Sequence, residues 1–345
     1  MSSLDVGLSP VPGWEQRPDD VAHRDVSAVG VDSADRVYLF TRSDDQILVY
    51  SRDGVFLRAW GKGVFTNAHG LTIGPDDSVY CVDNGDHSVR KFSADGTLLL
   101  TLGVPGKSSD TGFRPNLPPQ IHSVETVQRP GPPFNGCTGL AVGPGGDLFV
   151  SDGYGNCRIH RFSRDGTLLH SWGTVGSGPG EFRLPHAICA TPDGRLLVAD
   201  RENDRIQIFS TGGEYVGEWH NIRRPCGLAV APDGTVFVGE LWRPVGNSSF
   251  VTDTSAVDEP SRMSVLTPSG ELITRWGDSA DDKSRPGNFI APHSLAFDSS
   301  GSLYVAEVTY TYAIKTGRLS PVHASHQIQK FERAPTARTP AIEER

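Results

Sequence analysis

A unit of roughly 40 residues recurs along this chain, and the repeat constrains the fold more than any other feature. Each copy reads as a short apolar strand, a turn rich in Asp, Gly and Pro, a second strand, a third strand, a Gly turn and a fourth strand. The six copies begin at Ser27, His69, Thr138, His186, Cys226 and His293. Four strands per repeat of this length are typical of a propeller blade. The sequence therefore predicts an all-β fold, a six-bladed β-propeller.

The repeats also predict how the ring closes. We expect residues 1–345 to form a single propeller domain, with blades at approximately 26–333. The last repeat lacks a fourth strand, because a Pro-containing tail follows its third strand at 327–331. The N-terminal segment near Trp14 is predicted to supply that strand and remove the open sheet edges. Residues 334–345 are expected to form a mobile tail.

Two residue types recur so regularly that we interpret them as structural. Acids close the second strands of most repeats, where they are expected to accept hydrogen bonds from turn backbone groups. These acids are Asp83, Asp152, Asp200, Glu240 and Glu307. Tryptophans at the ends of fourth strands, Trp60, Trp172 and Trp276, are expected to be packing residues.

Composition excludes several classes of partner. The formal net charge is −9, whereas nucleic acids and anionic membranes are bound by basic surfaces. No apolar run approaches the roughly 18 residues of a membrane helix, and no secretory signal is visible at the N-terminus. The five cysteines have no CxxC spacing, which favours reduced thiols. We therefore expect a cytoplasmic protein that binds neither nucleic acid nor membrane.

Three histidines occupy the same register in alternate repeats. His69, His186 and His293 each open the first strand of repeats two, four and six, and this strand lies beside the propeller axis. Alternate blades of a six-bladed ring are about 120° apart, so the three side chains should converge on the channel mouth. Three imidazoles with open positions suit zinc, with iron, cobalt or manganese as alternatives. The other histidines are interpreted as surface or loop residues: His23, His87, His122, His160, His170, His220, His323 and His326.

The long insertions predict one elaborate face. They fall in links between repeats or in turns between second and third strands, and such turns lie on the same side of the disc: 104–136, 174–184, 241–262, 278–291 and 308–325. Arg42, Tyr154 and Arg201 follow second strands and should lie on this face near the metal. Two arginines there indicate an anionic ligand. The Tyr154 hydroxyl is a candidate base.

At these residues the chain resembles two known families. The repeats resemble NHL repeats, and residues 26–333 resemble the lyase domain of peptidylglycine amidating enzymes, peptidyl-α-hydroxyglycine α-amidating lyase. The matching stretches are Ala68-His69-Gly-Leu, Ser151-Asp-Gly-Tyr154-Gly-Asn-Cys-Arg-Ile, Leu184-Pro-His186, Ala199-Asp-Arg201-Glu-Asn-Asp-Arg-Ile-Gln and Pro292-His293. The resemblance implies zinc held by His69, His186 and His293, with Tyr154 as base, Arg42 as a catalytic-site cation and Arg201 near the substrate.

The chain departs from the amidating lyases in three respects. An acid that helps to hold a structural calcium in that family is replaced by Ser294, which argues against calcium here. Gly155 stands where the family's secreted members have a disulfide beside the tyrosine. No copper monooxygenase domain is visible to supply a peptidyl substrate.

These observations predict a zinc-dependent lyase acting on a small anionic carbinolamide. The substrate would be an α-hydroxyglycine-type compound, cleaved at its C–N bond to an amide and glyoxylate or a related aldehyde. One alternative is a zinc-dependent propeller hydrolase similar to a lactonase. The other is a non-catalytic NHL interaction module. The sequence leaves the oligomeric state open.

Overall fold

The computed structural model describes residues 6–44, 46–117, 121–251, 255–278 and 282–333, and it confirms the all-β, six-bladed propeller. Within these ranges, six antiparallel sheets of four strands form the blades, and consecutive strands pair in five of them. The sixth blade takes its outer strand from the N-terminus. The predicted tail at 334–345 lies outside the described residues.

The strands of the first three blades follow the predicted repeats. Their bounds are Val26–Val31, Val37–Thr41, Ile47–Tyr50 and Phe56–Trp60 in blade one; Ala68–Ile73, Val79–Asp83, Ser88–Phe92 and Leu98–Leu102 in blade two; and Cys137–Val142, Leu148–Asp152, Arg158–Phe162 and Leu168–Trp172 in blade three. In the other three blades they are Pro185–Ala190, Arg195–Asp200, Arg205–Ser210 and Tyr215–Trp219; Pro225–Val230, Val236–Glu240, Arg262–Leu266 and Leu272–Trp276; and Pro292–Phe297, Leu303–Glu307, Ile328–Arg333 and Leu8–Pro10.

Short helices and one extra strand pair lie in the links and turns, and all of them except the 3₁₀ helix Arg201–Asn203 fall in the predicted insertions. The helical segments are the α-helix Ile121–Glu125, the 3₁₀ helices Arg201–Asn203 and Pro321–His323, and the π-helical turn Tyr310–Ile314. Thr174–Val175 pairs in parallel with Glu181–Phe182 in the link between blades three and four. All of these elements interrupt links or turns from second to third strands, which is where the sequence placed the insertions.

Burial along each blade follows the position of its strands. Second strands such as Val37–Thr41 are buried at every residue, because neighbouring blades cover both of their faces. The outer strand Leu98–Leu102 begins with two exposed leucines, since it lies at the rim. The core therefore lies between blades; for example, Phe40 and Val49 of blade one pack with Leu71 and Cys81 of blade two. Each such buried aliphatic or aromatic side chain contributes ~1.5–3 kcal/mol.

The N-terminal strand that pairs with the last blade differs from the predicted one. Leu8–Pro10 pairs antiparallel with Phe331 to Arg333, somewhat earlier in the chain than the expected Trp14 segment. Trp14 instead packs between Tyr50 and Tyr304, with its ring 5.6 and 5.2 Å from theirs. Its indole N–H donates to Arg52 O. Pro10 is compatible with an edge strand, because such a strand leaves one row of its N–H groups unpaired.

The acids at the ends of second strands fix the start of the first strand in their own blade. Asp83 accepts hydrogen bonds from the amides of Thr66 and Asn67, just before His69. Glu307 accepts from the amides of Ile290 and Ala291, just before His293. In the same way, Asp152 accepts a hydrogen bond from the Asn135 amide, Asp200 from the Arg183 amide and Glu240 from the Arg223 amide. These acids thus position the entrance of the innermost strand.

The interpretation of the remaining histidines as surface or loop residues is wrong for His160, whereas His23 and His326 lie in loops, although their side chains are largely buried. His160 lies in a third strand with no exposed surface, beside the buried Asp152. The His23 side chain is 3% exposed against Glu15, and that of His326 is 10% exposed against Glu307. Sequence position did not reveal their burial, because the covering groups come from other strands. Within the described ranges, the structure contains no helix with the length and apolar character needed to cross a membrane.

Candidate metal centre

A β-bulge places each of the three histidines. The pairing of first and second strands shifts register between Ala68 and Gly70, so His69 is the extra residue. The same shift surrounds His186 and His293. A bulge twists its strand and can re-aim one side chain. Here it turns the imidazoles of blades two, four and six toward the propeller axis.

The three imidazoles meet in one buried cluster. Their potential ligand atoms all lie within 4.8 Å of one another. The rings of His69, His186 and His293 are 4.7 to 4.9 Å apart between centroids. The residues are only 1%, 2% and 6% exposed. Side chains from three alternate blades therefore form a single potential metal site.

Backbone carbonyls of the intervening blades fix the tautomer of each histidine. Nδ1 of His69 lies 2.7 Å from Thr138 O, that of His186 lies 2.8 Å from Cys226 O, and that of His293 lies 2.6 Å from Ser27 O. Because a carbonyl oxygen can only accept, each Nδ1 carries the proton and donates it. Nε2 of each neutral ring then presents a lone pair. Such a second hydrogen bond is the usual way that metal-binding histidines are oriented.

The surroundings keep these rings neutral. Burial, together with the charges of His293 and Arg42, holds the pKa of His69 well below its usual value. Burial and the Arg201 charge act in the same direction on the pKa of His186. Burial and Arg42 lower the pKa of His293 to about 3. The cluster therefore offers three neutral nitrogens at neutral pH, the protonation state that a metal requires of imidazole.

Tyr154 lies against this cluster. Its hydroxyl oxygen is 3.0 Å from Nε2 of His69 and 3.3 Å from Nε2 of His186. Its ring meets both imidazoles edge to face. The phenol therefore lies within reach of any small molecule bound at the three nitrogens.

Polar contacts hold the turn that carries Tyr154. The Gly155 amide donates to Asn135 O at 2.7 Å, and the Thr111 hydroxyl donates to Gly155 O. A Cβ on Gly155 would lie 2.3 Å from Oδ1 of Asn135, so a side chain cannot fit there. Where the resemblance implies a disulfide beside the tyrosine, the Gly155 backbone of this chain instead packs closely against Asn135 of the 104–136 insertion.

Arg42 reaches the cluster from blade one. Its Nε donates to Ala68 O at 3.1 Å, directly before His69. Its Nη1 lies 3.5 Å from Oδ2 of Asp25, which is completely buried. Within the described parts of the chain, Nη2 of Arg42 forms no hydrogen bond. The guanidinium is thus anchored on one side and retains donors for a ligand.

Arg201 approaches from the 3₁₀ helix of blade four. Its guanidinium carbon lies 5.7 Å from the centre of the Tyr154 ring. Its Nε donates to Oε1 of Glu202 at 2.8 Å, and that same oxygen accepts from Arg224 at 3.0 Å. Burial would raise the pKa of Glu202, but the charges of Arg224 and Arg201 lower it to about 2. Glu202 therefore remains ionised and holds Arg201 in place.

Sequence analysis missed the two acids that hold these arginines. Asp25 and Glu202 interrupt no apolar pattern, and neither recurs in the repeats. One usable signal was the position of Glu202 directly beside Arg201. Asp25 left no such signal, because it meets Arg42 only through the folded chain.

A channel of about 700 Å³ runs below the histidines. The six first strands line it, mostly with aliphatic side chains such as Val29, Leu71 and Leu228. The Ser294 hydroxyl, at the position of the acid implied for calcium, accepts from the Val29 amide at 3.3 Å. Ser294 thus offers a neutral oxygen that already accepts a hydrogen bond, in place of the carboxylate implied for calcium.

The donor set fits a transition metal. Three neutral imidazoles facing one point suit Zn²⁺, Fe²⁺ or Co²⁺ and leave coordination positions for water or substrate. The Nδ1 hydrogen bonds supply the outer contacts that such a site needs. The structure brings all six predicted site residues together: His69, His186 and His293 at the axis, and Arg42, Tyr154 and Arg201 around them.

Fold and site together define the class: an NHL-type six-bladed propeller with three histidines at its axis. A family model described as NHL repeat matches residues 134–162 and 182–209. The chain is 32% identical to human NHL repeat-containing protein 3, over 86% of this chain and 80% of that protein. The mouse protein of the same name is 34% identical over 81% and 76%. The chain belongs to this family of NHL repeat-containing proteins.

Amidating lyases are also among the relatives. The chain is 38% identical to peptidyl-alpha-hydroxyglycine alpha-amidating lyase 1 of Drosophila melanogaster over 72% of its own length. It spans only 44% of the length of that relative. The expected resemblance to these lyases is therefore confirmed at the level of sequence similarity.

Solved structures show the same fold at low identity. A streptogramin B lyase superposes with a TM-score of 0.56 at 14% identity and covers 95% of this chain and 97% of its own. A gluconolactonase from Xanthomonas campestris has a TM-score of 0.57 at 13% identity and covers 91% and 88%. At this identity the two structures support the propeller architecture alone.

Proposed function

We propose that this protein is a metal-dependent lyase that cleaves the C–N bond of a small anionic carbinolamide. Its substrate is an α-hydroxyglycine-type compound, and its products are an amide and glyoxylate or a related aldehyde. The observation that carries the proposal is the convergence of three neutral Nε2 atoms with the Tyr154 hydroxyl, 3.0 Å from the nearest of them. The sequence similarity to amidating lyases supports the same chemistry.

The histidines would hold the metal. His69, His186 and His293 would bind a zinc ion or another divalent transition metal through Nε2. A bound metal supplies Lewis acidity that lowers the pKa of a coordinated hydroxyl. Since the Nδ1 atoms stay committed to backbone carbonyls, the rings need not move to accept the ion.

The proton would pass through Tyr154. As the phenolate, Tyr154 takes the proton of the substrate hydroxyl, the electrons of that O–H bond form the new carbonyl, and the electrons of the C–N bond leave with the amide nitrogen. The departing amide nitrogen takes up a proton, which the same phenol can return. Atoms therefore balance with a single acid–base group.

The arginines would orient the substrate carboxylate. Arg42 retains donors on Nη2, and Arg201 lies beside Tyr154. A guanidinium binds carboxylate through paired hydrogen bonds in a fixed plane. An anion held there would direct its α-hydroxyl toward the phenol and the three nitrogens. The proposed partner is thus a small anionic substrate, and the proposal involves neither a nucleic acid nor a membrane.

The test begins with metal content and continues with product release. Purified protein is incubated with N-benzoyl-α-hydroxyglycine, ureidoglycolate and a panel of lactones. We expect glyoxylate and amide in equal amounts, loss of activity with a chelator, and recovery with zinc. His186→Ala should be inactive, whereas His220→Ala, which changes an exposed histidine, should match the wild type.

Other outcomes distinguish the alternatives. Turnover of a lactone in place of the hydroxyglycines would favour the water-activating hydrolase, and the solved gluconolactonase shares the fold. Metal-loaded protein that turns over no member of the panel would contradict the proposal and favour an interaction module.

A further inference from the structure

The π-helical turn Tyr310–Ile314 lies in the insertion between the second and third strands of blade six. π-helical turns are rare and frequently occur at functional sites. None of the six residues assigned above to metal or catalysis comes from this turn. Two adjacent side chains of the turn, Thr311 and Tyr312, nevertheless contact the groups that hold the two site arginines.

Thr311 contacts the partner of Arg42. Its amide donates to Oδ1 and Oδ2 of Asp25 at 3.0 and 3.2 Å, and its hydroxyl donates to Oδ2 as well. Oδ2 is also the atom that faces Nη1 of Arg42 at 3.5 Å. Asp25 has a φ of 57°, a left-handed conformation that costs energy for a residue other than glycine. The Thr311 contacts therefore hold the buried carboxylate of Asp25, a residue with a strained backbone, against Arg42.

Tyr312 contacts the partner of Arg201. Its hydroxyl accepts from Nη1 of Arg224 at 2.8 Å and donates to Trp242 O. Nη2 of Arg224 donates to Glu202, and the same carboxylate oxygen accepts from Arg201. Glu202 is 2% exposed, so its position depends on these two guanidiniums. Tyr312 thereby fixes Arg224, which fixes Glu202, which fixes Arg201.

We propose that the turn Tyr310–Ile314 positions both site arginines for an anionic substrate. Three guanidiniums (Arg42, Arg201 and Arg224) contact two carboxylates (Asp25 and Glu202), and the turn contacts the members of this group on both sides. Thr311 and Tyr312 act through the carboxylates, which makes them positioning residues. The inference rests on the proposed function, because it assumes that the arginines bind the substrate carboxylate.

The variants remove one hydroxyl each. Thr311→Val keeps the shape and the backbone amide but removes the hydroxyl bond to Asp25. Tyr312→Phe removes the acceptor for Arg224. Tyr310→Phe is the matched control, since it makes the same change in the same turn, and the ring that stacks under Arg24 remains. All variants are made in the full chain and loaded with zinc.

The probes are glycolate and its neutral analogue glycolamide, and binding is measured by calorimetry. For Thr311→Val and Tyr312→Phe we expect glycolate binding to weaken roughly tenfold, the usual effect of losing one hydrogen bond to a charged group. Glycolamide binding and zinc content should stay at wild-type values, and the melting temperature should fall by only a few degrees, as loss of one buried hydrogen bond predicts. With an active substrate, KM should rise while kcat changes little, because the arginines bind ground and transition states alike.

The remaining outcomes separate the two claims. If the wild type binds glycolate and both variants bind it equally well, the turn does not position the arginines, although the proposed function survives. If the binding of glycolate and of glycolamide weakens to the same extent, or if Tyr310→Phe weakens glycolate binding equally, the turn is only structural and the inference is wrong. If the zinc-loaded wild type binds no glycolate, the anion site fails, and the proposed function fails with it.

Discussion

The phenol oxygen of Tyr154 lies 3.0 Å from Nε2 of His69, although 85 positions separate the two residues in the chain. His69 belongs to blade two and Tyr154 follows a strand of blade three, so the contact crosses a blade boundary. It joins the candidate base to the candidate metal ligands. Substitutions on each side of this contact, and in the scaffold that holds it, therefore have separable effects on catalysis, metal binding and stability.

Removal of one histidine should empty the metal site. His186→Ala leaves two nitrogens, and we expect the affinity for zinc to fall by more than the roughly 10–100-fold that loss of an outer hydrogen bond to a ligand costs. Metal content after dialysis and competition with a chromophoric chelator measure the change. Retention of full zinc content by the triple alanine variant of His69, His186 and His293 would refute the site.

Tyr154→Phe should separate catalysis from metal binding. The hydroxyl is not one of the proposed ligands, so fold and zinc content should persist, while kcat falls by roughly 10²–10⁴ on an active carbinolamide. Steady-state kinetics with N-benzoyl-α-hydroxyglycine measure the loss. Tyr215→Phe, at a rim strand, serves as control. Turnover by Tyr154→Phe at the wild-type rate would mean that Tyr154 only lines the pocket and does not act as the base.

Asp83→Ala should weaken both the scaffold and the metal site. It leaves the amides of Thr66 and Asn67 without their acceptor, and each hydrogen bond to a charged group such as the buried Asp83 contributes roughly 1.5–3 kcal/mol to the free energy of unfolding. Because these amides precede His69, zinc affinity should fall as well. Urea denaturation and zinc titration measure the two effects. The exposed turn residue Asp95 supplies the control, and equal stability of Asp83→Ala and Asp95→Ala would contradict the assigned role.

His326 should make stability depend on pH. Burial would lower its pKa, but the neighbouring Glu307 charge raises it above the usual value. A raised pKa in the folded state means that the stabilisation is complete below pH 6.5 and is lost as pH rises through the folded-state pKa. His326→Gln should therefore destabilise most in mildly acidic solution and least in alkaline solution.

Denaturation midpoints of the His326→Gln variant across pH 5.5–9 check this prediction. The exposed His220→Gln variant should follow the wild-type curve. A constant difference between wild type and His326→Gln over the whole range would mean that charge on His326 contributes nothing.

Much of the site could be predicted because the repeat converts sequence register into position. His69, His186 and His293 occupy equivalent positions in three alternate repeats, so their side chains converge at the propeller axis regardless of the loop conformations. Tyr154, Arg42 and Arg201 follow second strands, and their side of the disc follows from strand direction. The groups that hold them, Asp25, Glu202 and the Tyr310–Ile314 turn, lie in non-repeating segments and could not be placed in this way.

The sequence by itself determined the number of blades, the face that carries the insertions and the identity of the converging histidines, because each depends on local strand order and period. Only the tertiary structure decided which strand closes the ring, Leu8–Pro10 and not the Trp14 segment. It also decided that His160 is buried and that Thr311 meets Asp25, 286 positions away. Such contacts join segments remote in the chain, so they depend on how the closed ring packs and leave no pattern in the local sequence.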